Sequence, residues 1–401
     1  MEKEYDILPA IVVVGYNRID SIIRLINSIN NAAFPEADIT LLVCLDKSDK
    51  TADIIDAVKK VGFKHGNLVF RTQMERLGLK KHIIECGNLT EEYGAAIILE
   101  DDLIVSKMFY MYTCQALKKY HDDDRIAGIA LYSHAWIGYS QYRFMPLHNG
   151  YDVYLGQFSI TWGQCWTANQ WRNFKAWYEA NKTLPSRNYS MPMAISRWGD
   201  KSWGKYFVSY IVAERKYYVI PYCALSTNCA EVGEHNGKST SAFQVELLDA
   251  TNYDYHFPSY DEAIKYDVFF ERQTNETLIE GISTEEICFD LNALHEKTAG
   301  EKYLLTMCPY KKLELIKSFG AILKPIEQNV LNDISGNQIF LYRLPNNNYM
   351  LDCNNFDNIQ RLQYEYSGID SRRLLLFSIR NITLFLIEKI RRKVKKLWEK
   401  Y

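Results

Sequence analysis

The chain lacks the features that mark several large classes of protein. No uninterrupted apolar run reaches about 18 residues, so a clean membrane-spanning helix is not expected. Its 47 Lys and Arg nearly balance its 49 Asp and Glu, and the formal charge of −2 provides no global basic field for nucleic acid. Residues 1–10 lead into an apolar run that is too short for a signal peptide, which indicates a protein that starts in the cytoplasm.

Paired cysteines are also missing. The chain has nine cysteines, an odd number, and no two of them form a C-x-x-C pair: Cys44, Cys86, Cys114, Cys165, Cys223, Cys229, Cys288, Cys308 and Cys353. Scattered cysteines of this kind are not typical of a disulfide framework or of a zinc knuckle. We therefore expect free thiols and a reducing compartment.

Two common phosphate-binding fingerprints are absent. The first strand-to-helix junction reads Gly15-Tyr16-Asn17-Arg18, which is not a G-x-G-x-x-G loop, and the chain contains no G-x-x-x-x-G-K-[ST]. A nicotinamide, flavin or P-loop site therefore has no support in the sequence.

What the chain does contain is an alternation of strand and helix patterns over residues 1–135. Four apolar runs, at 10–14, 39–45, 67–70 and 95–99, are typical of strands buried in a parallel sheet, and helical spacing follows each of the first three. Repeated βαβ units predict a doubly wound α/β sheet, in which ligands bind beyond the carboxyl ends of the strands.

Three carboxylates, Glu100-Asp101-Asp102, follow the fourth predicted strand. Such groups repel one another, and a hard divalent cation with oxygen ligands relieves the repulsion while leaving sites for phosphate oxygens. The triplet therefore predicts a metal–diphosphate site, and the alternative is an acidic loop that caps the next helix. A second acidic run, residues 122–124, follows a helix instead of a buried strand and is interpreted as a solvated turn.

Two further polar residues follow the first and second strands. Arg18 can pair with a phosphate or a nucleobase edge, and the alternative is a surface arginine. Asp46 can accept hydrogen bonds from a uracil or a ribose, and the alternative is a turn aspartate.

The strand followed by GYNR, the strand followed by Asp46, and the ILEDDL segment together resemble a GT-A glycosyltransferase, over about residues 8–245. The closest resemblance is to the inverting N-acetylglucosaminyltransferase family. It implies an α/β, Rossmann-like GT-A fold with a mixed central sheet and a UDP-linked donor such as UDP-GlcNAc. It also implies that Asp102 binds Mn²⁺ or Mg²⁺, while Glu100 and Asp101 contact the sugar and the ribose.

The resemblance extends to two later segments rich in Gly and Trp. Residues 156–166 resemble the loop that lines the sugar pocket, with Trp162 as a pocket residue. Residues 198–203 resemble the segment that supplies the catalytic base, which Asp200 matches. The alternatives are core packing for Trp162 and Trp166, favoured for Trp166, and a helix N-cap for Asp200.

A third segment, residues 232–237, resembles a loop that closes over the diphosphate. It implies a phosphate-side role for Glu234 and a metal or phosphate contact for His235, whose alternative is a plain loop histidine. Chemistry supports two separated acidic sites, because inversion needs a base on one face of the anomeric carbon and a cation near the leaving diphosphate on the other.

The end of the chain has a distinct pattern. From Arg380 onward eight Lys or Arg oppose two Glu, a local charge of +6, and apolar residues recur at helical spacing. This favours a basic amphipathic helix at an anionic membrane surface; the alternative is a helix docked on its own domain or on a partner copy. We expect a catalytic domain at 1–255, an accessory region at 256–370 and this helix at 371–401.

These patterns lead to one functional expectation with two alternatives. We expect a metal-dependent inverting glycosyltransferase, peripheral at the inner face of the cell membrane, that transfers a sugar to a hydroxyl of a glycan or lipid-linked acceptor in bacterial surface-polysaccharide synthesis. The alternatives are a catalytically silent GT-A-like carbohydrate-binding or scaffold protein, and a sugar nucleotidyltransferase, whose glycine-rich phosphate loop is missing here.

Overall fold

The computed structural model describes residues 7–183, 190–231, 241–276, 278–345, 348–352 and 359–398. The chain divides into two compact units, 1–355 and 356–401. The strands of the first unit are β1 (Ala10–Gly15), β2 (Ile39–Leu45), β3 (Gly66–Thr72), β4 (Ala95–Glu100), β5 (Leu103–Val105), β6 (Ile126–Ala130), β7 (Trp136–Ile137), β8 (Tyr142–Arg143), β9 (Val153–Gly156), β10 (Gln164–Thr167), β11 (Tyr217–Pro221), β12 (Ser226–Asn228), β13 (Lys265–Tyr266), β14 (Arg272–Gln273), β15 (Ile287–Asp290), β16 (Tyr303–Thr306), β17 (Glu314–Phe319) and β18 (Ile339–Arg343). The helices are α1 (Ile19–Asn30), α2 (Thr51–Val61), α3 (Leu79–Asn88), α4 (Thr90–Tyr93), α5 (Phe109–Tyr120), α6 (Ala168–Asn181), α7 (Met193–Ser196), α8 (Trp203–Ala213) and α9 (Gln328–Leu331) in the first unit, and α10 (Ile359–Tyr366) and α11 (Ser371–Trp398) in the second.

A mixed central sheet organises the first unit, in the order β14-β13-β9-β11-β6-β10-β4-β1-β2-β3. Strands β4, β1, β2 and β3 are mutually parallel, whereas β10 lies antiparallel between β6 and β4. The predicted α/β class with a mixed central sheet is confirmed.

Alternating side chains of the central strands enter two apolar cores, one on each face of the sheet. Along β1, Ile11 and Val13 pack into one core while Val12 and Val14 pack into the other. The apolar face of α1, including Ile22, Leu25, Ile26 and Ile29, covers the first core. Burial on both faces explains why β1, β2 and β4 read as continuous apolar runs.

Part of the predicted accessory region belongs to this architecture. Strands β13 and β14 extend the edge of the central sheet beside β9, and a second sheet follows in the order β15-β16-β18-β17. The division into a catalytic domain at 1–255 and an accessory region at 256–370 stays a prediction.

The state of the cysteines agrees only in part with expectation. Seven of them, from Cys44 to Cys288, are free thiols. Cys308, however, forms a disulfide, so the expectation of free thiols throughout is wrong at this position. A single disulfide is still not the dense framework of a small secreted domain.

The second unit consists of α10 and α11. Helix α11 begins at Ser371, where the terminal segment was predicted to begin, and runs for 28 residues. Seven large apolar side chains in its described part are exposed: Leu375, Leu376, Phe377, Ile379, Ile382, Leu386 and Ile387. Within the described residues, no helix is both long and apolar enough to cross a bilayer.

Candidate functional site

Three neighbouring parallel strands end at one edge of the central sheet and carry the predicted site residues there. Gly15 of β1 is in register with Leu45 of β2, and Val14 is in register with Glu100 of β4. The segments that continue from these strands hold Arg18, Asp46 and the acidic triplet. The structure thus brings together residues that lie up to 84 positions apart in the chain.

Arg18 lies against two carboxylates of the triplet. Its Nη2 donates a hydrogen bond to Asp101 Oδ1, and its Nη1 lies 3.4 Å from Asp102 Oδ2. Burial raises the pKa of Asp101 to about 6, although the charge of Arg18 and the backbone N–H of Tyr16 favour the ionised form. One guanidinium therefore serves two carboxylates, which is too little positive charge for the whole triplet.

The pKa of Glu100 reflects the lack of positive charge around the triplet. Burial, together with the charges of Asp102 and Asp101, raises the pKa of Glu100 to about 8. A carboxyl group with this pKa remains largely protonated at neutral pH unless a cation approaches.

Asp102 offers the position where a divalent cation fits. Its Oδ1 atom is buried and has no hydrogen-bond partner among the described residues. Buried polar atoms normally have partners, so an unpartnered carboxylate oxygen beside two further carboxylates fits a hard cation. The described residues contain no group of three or more His, Cys, Asp or Glu side chains that could hold the ion alone. A cation here would need oxygens from a bound ligand as well.

Asp46 is buried and accepts hydrogen bonds from the backbone of the turn that precedes α3. Its Oδ1 accepts the backbone N–H groups of Lys47 and Leu77 at 2.9 and 2.8 Å, and its Oδ2 accepts that of Gly78 at 2.9 Å. Asp46 therefore fixes the wall of the site beyond β2, and only its remaining lone pairs can face a ligand.

Asp200 lies in a turn before α8, and 90% of its side chain is exposed. The N-cap of α8 is Ser202, whose hydroxyl accepts the backbone N–H of Lys205. The alternative interpretation of Asp200 as the helix cap is therefore wrong. The Lys205 Nζ lies 3.8 Å from Asp200 and donates at 2.8 Å to the carbonyl of Trp198.

The first turn of α8 connects the Asp200 segment to the triplet. Trp203 is buried and makes a side-chain hydrogen bond to Glu100. A Cβ added at Gly204 would lie 3.0 Å from Ser159 Oγ, so α8 also packs closely on the loop after β9. The two acidic segments, 100 residues apart in sequence, therefore meet through Trp203.

Trp162 and Trp166 have different environments. Trp166 is fully buried and lies between Trp171 and Phe207, which confirms the interpretation as core packing. Trp162 is half-buried, with its ring 4.8 Å from that of Tyr132 and 5.4 Å from that of Phe243. The environment of Trp162 leaves part of an aromatic surface open, as a sugar-facing residue requires.

Glu234 and His235 lie outside the described residues. The segment that leads toward them starts beside the triplet, because the backbone N–H of Cys229 donates to the carbonyl of Asp102 at 2.9 Å. Glu231 then accepts hydrogen bonds from Ser21 and Arg24 of α1, each at 2.5 Å.

Sequence reasoning missed several residues of this site. Trp203 lies in the segment 198–203 that resembles the one with the catalytic base, and its position directly after the N-cap Ser202 places it in the first turn of a helix. The pairing of Tyr16 with Arg76, whose guanidinium lies 4.6 Å from the ring centre, has no local signal because 60 residues separate the two.

No family model matches the chain, and no curated protein matches it in sequence. Solved structures do resemble it. Staphylococcus aureus TarS 1–349 is 13% identical, with 54% of this chain and 59% of that chain covered and a TM-score of 0.35. The mannosyltransferase PcManGT from Pyrobaculum calidifontis, in complex with GDP-Man and Mn²⁺, is 11% identical over 55% of this chain and 60% of that chain, with a TM-score of 0.30. GalNAc-T7 with UDP, GalNAc and Mn²⁺ is 11% identical over 55% of this chain and 43% of that chain, with a TM-score of 0.38.

Each match therefore spans less than two thirds of the solved chain. A likeness at this level assigns neither a substrate nor a residue role to the present chain.

Proposed function

We propose that the chain is a metal-dependent, inverting glycosyltransferase that uses a UDP-linked sugar such as UDP-GlcNAc. The acceptor is a hydroxyl of a glycan or a lipid-linked saccharide in bacterial surface-polysaccharide synthesis. The observation that carries this proposal is the unpartnered Oδ1 of Asp102, at a strand edge where three acidic residues lie together and one arginine contacts only two of them.

The donor half of the site follows from the positions of its polar groups. Asp102 binds Mn²⁺ or Mg²⁺, with His235 as a further ligand or phosphate contact, and the cation stabilises the departing diphosphate. Glu100 and Asp101 contact the donor sugar and the ribose. Arg18 offers its guanidinium to phosphate oxygens or to the base once a ligand draws it from the carboxylates.

Three further residues complete the donor side. Asp46 shapes the uracil or ribose end through the turn that it holds. Trp162 provides an aromatic face for the C–H surface of the sugar. Glu234, which lies outside the described residues, is assigned a contact with the phosphate side of the donor.

Asp200 acts as general base in this scheme. Its carboxylate takes the proton of the acceptor hydroxyl while that oxygen forms a bond to the anomeric carbon. The bond from the anomeric carbon to the diphosphate breaks on the opposite face, and its electron pair leaves with UDP. An exposed carboxylate suits this role because the acceptor must reach it from solvent.

The proposed location depends on the second unit. A peripheral position at the cytoplasmic face of the membrane is supported by the exposed apolar side chains of α11 and by the basic sequence that continues beyond them. It places the enzyme beside acceptors that are carried on lipid.

Turnover of radiolabelled UDP-GlcNAc and other UDP-sugars, with Mn²⁺ and with EDTA, tests the proposal. We expect metal-dependent release of UDP, even as slow hydrolysis in the absence of an acceptor. Metal-dependent UDP binding without any turnover would favour the silent carbohydrate-binding protein. Formation of a UDP-sugar from UTP and a sugar phosphate would favour the nucleotidyltransferase.

A further inference from the structure

A cavity of about 530 Å³ lies in the first unit, apart from the strand edge that holds the triplet. Its walls come from residues 190–197, before α8, and from residues 269 and 295–297 of the predicted accessory region. This volume lies within the range of about 300–1,000 Å³ that is typical of small-molecule sites.

The polar lining of the cavity is mostly cationic. Arg197 and Lys297 are both exposed, and neither has a side-chain partner among the described residues. Glu296 is the one carboxylate in the described lining, and it is exposed as well. Two unpaired cations against one carboxylate favour an anionic ligand.

His295 adds a third basic group, which is held in a fixed orientation. Its Nδ1 lies 3.2 Å from Asp290 Oδ1, and its ring stacks on Phe269 with a centre-to-centre distance of 3.6 Å. Burial disfavours the charged ring, but the hydrogen bond and the charge of Asp290 outweigh burial and raise the pKa of His295. The second nitrogen, Nε2, has no partner among the described residues and remains available as a donor.

The cavity lies near the proposed base, Asp200. Arg197 precedes Asp200 by three residues, so their Cα atoms are at most about 11 Å apart. Tight turns keep this segment compact, because the N–H of Trp198 donates to Ile195 at 3.0 Å and that of Ser202 donates to Gly199 at 3.0 Å. The backbone at Asp200 therefore lies close to the wall of the cavity that Arg197 forms.

We propose that this cavity is the acceptor site and that it selects an acceptor carrying an anionic group, a phosphate or a carboxylate, which Arg197, Lys297 and His295 bind. The inference rests on the proposed transferase function and specifies its acceptor class. Met191 and Phe269 supply the apolar wall against which a sugar ring packs.

Ligand-observed NMR titrations of the full chain test this assignment with three probes: glucose 1-phosphate, glucuronate and uncharged glucose. Each titration is run with Mn²⁺ alone and with Mn²⁺ plus saturating UDP, which blocks the donor site. We expect at least one anionic probe to bind more tightly than glucose, with and without UDP. The probe that binds distinguishes a phosphate acceptor from a carboxylate acceptor.

The double variant Arg197→Gln/Lys297→Gln should weaken binding of the anionic probe by about tenfold or more, as the loss of two charge-assisted hydrogen bonds predicts. Its affinity for UDP with Mn²⁺ should not change. Lys60→Gln/Lys64→Gln is the matched control. Both lysines are exposed and lie outside the cavity, and replacing them removes the same charge as the cavity variant does.

Three results would overturn the assignment: no preference for the anionic probes over glucose, loss of their binding when UDP is added, or equal affinity in wild type and the cavity variant. Failure of the wild type to bind UDP would instead refute the proposed function, and the acceptor role with it. The effect of the Arg197/Lys297 variant would then still decide whether the cavity binds anions.

Discussion

Trp203 makes a hydrogen bond to Glu100 and so joins the turn that carries Asp200 to the acidic end of β4. Glu100 is the carboxyl group of the triplet that Arg18 does not contact in the described structure. The indole therefore gives this carboxyl group a neutral donor in place of a charged partner.

Replacing Trp203 with Phe keeps most of the buried ring but removes the N–H. Because loss of a hydrogen bond to a charged group weakens binding, we expect the affinity for UDP-GlcNAc with Mn²⁺ to fall by about tenfold. Titration calorimetry measures this effect. Trp177→Phe, which changes a half-buried ring that packs against Tyr210 of α8, is the control and should bind the donor normally.

Asp200→Asn separates chemistry from structure. Asn cannot accept the proton, so the transfer rate at saturating donor should fall by about 10² to 10⁴, while UDP affinity persists. The paired variant Ser202→Ala removes the actual N-cap of α8 and should instead lower the free energy of unfolding by about 1 kcal/mol. Turnover close to wild type in the Asn variant would exclude Asp200 as the base.

The sequence was sufficient to predict the elements that position the site. The apolar runs predicted at 39–45 and 95–99 are β2 and β4, and the residues after them do share one sheet edge. Such runs are visible because strands buried on both faces need continuous apolar side chains. The pattern over residues 198–216 predicts a helix, and the helix observed there, α8, is shorter, from Trp203 to Ala213, because Ser202 caps it.

Contacts between distant segments could not be predicted. The ion pairs of Arg18 with Asp101 and Asp102 span 83 and 84 residues, and no periodicity encodes them. The same holds for β10, whose antiparallel insertion between β6 and β4 depends on the whole chain. Roles for Glu234 and His235 stay predictions, since both lie outside the described residues.

His134 should make the stability of the protein depend on pH. Burial lowers the pKa of His134 to about 3, and its ring lies among Tyr132, Phe158 and Phe270. The folded state therefore favours the neutral ring. The contribution of His134 to stability is complete above about pH 6.5, the pKa of histidine in the unfolded chain, and is lost as the pH falls toward 3.

Through this group, each pH unit below about 6.5 lowers the free energy of unfolding by about 1.4 kcal/mol, which amounts to about 3 kcal/mol at pH 4. Urea unfolding between pH 7 and pH 4 measures the slope. His134→Phe should flatten it, whereas the exposed control His256→Gln should leave it unchanged. An identical slope in His134→Phe and wild type would show that this histidine titrates normally in the folded protein.

Helix α11 should contact membranes through its exposed apolar side chains. The triple variant Leu375→Gln/Leu376→Gln/Phe377→Gln should bind vesicles of phosphatidylserine and phosphatidylcholine at least about tenfold more weakly, since each apolar side chain buried in lipid contributes free energy. Wild-type binding should also weaken with salt. Ile322→Gln, at a residue that is 76% exposed in the first unit, is the control. Vesicle binding that the triple variant retains would argue for the docked-helix alternative.

The affinity of UDP for the full chain, measured by titration calorimetry with Mn²⁺ and with EDTA, tests the central claim most directly. UDP should bind wild type only with Mn²⁺, because the acidic triplet, with one arginine that already contacts Asp101 and Asp102, disfavours a diphosphate until a cation bridges them. Asp102→Asn should abolish the metal-dependent part, while Asp122→Asn, at an 89% exposed side chain in the turn after α5, should bind UDP as wild type does. Equal UDP affinity in Mn²⁺ and EDTA, or undiminished metal dependence in Asp102→Asn, would contradict the account.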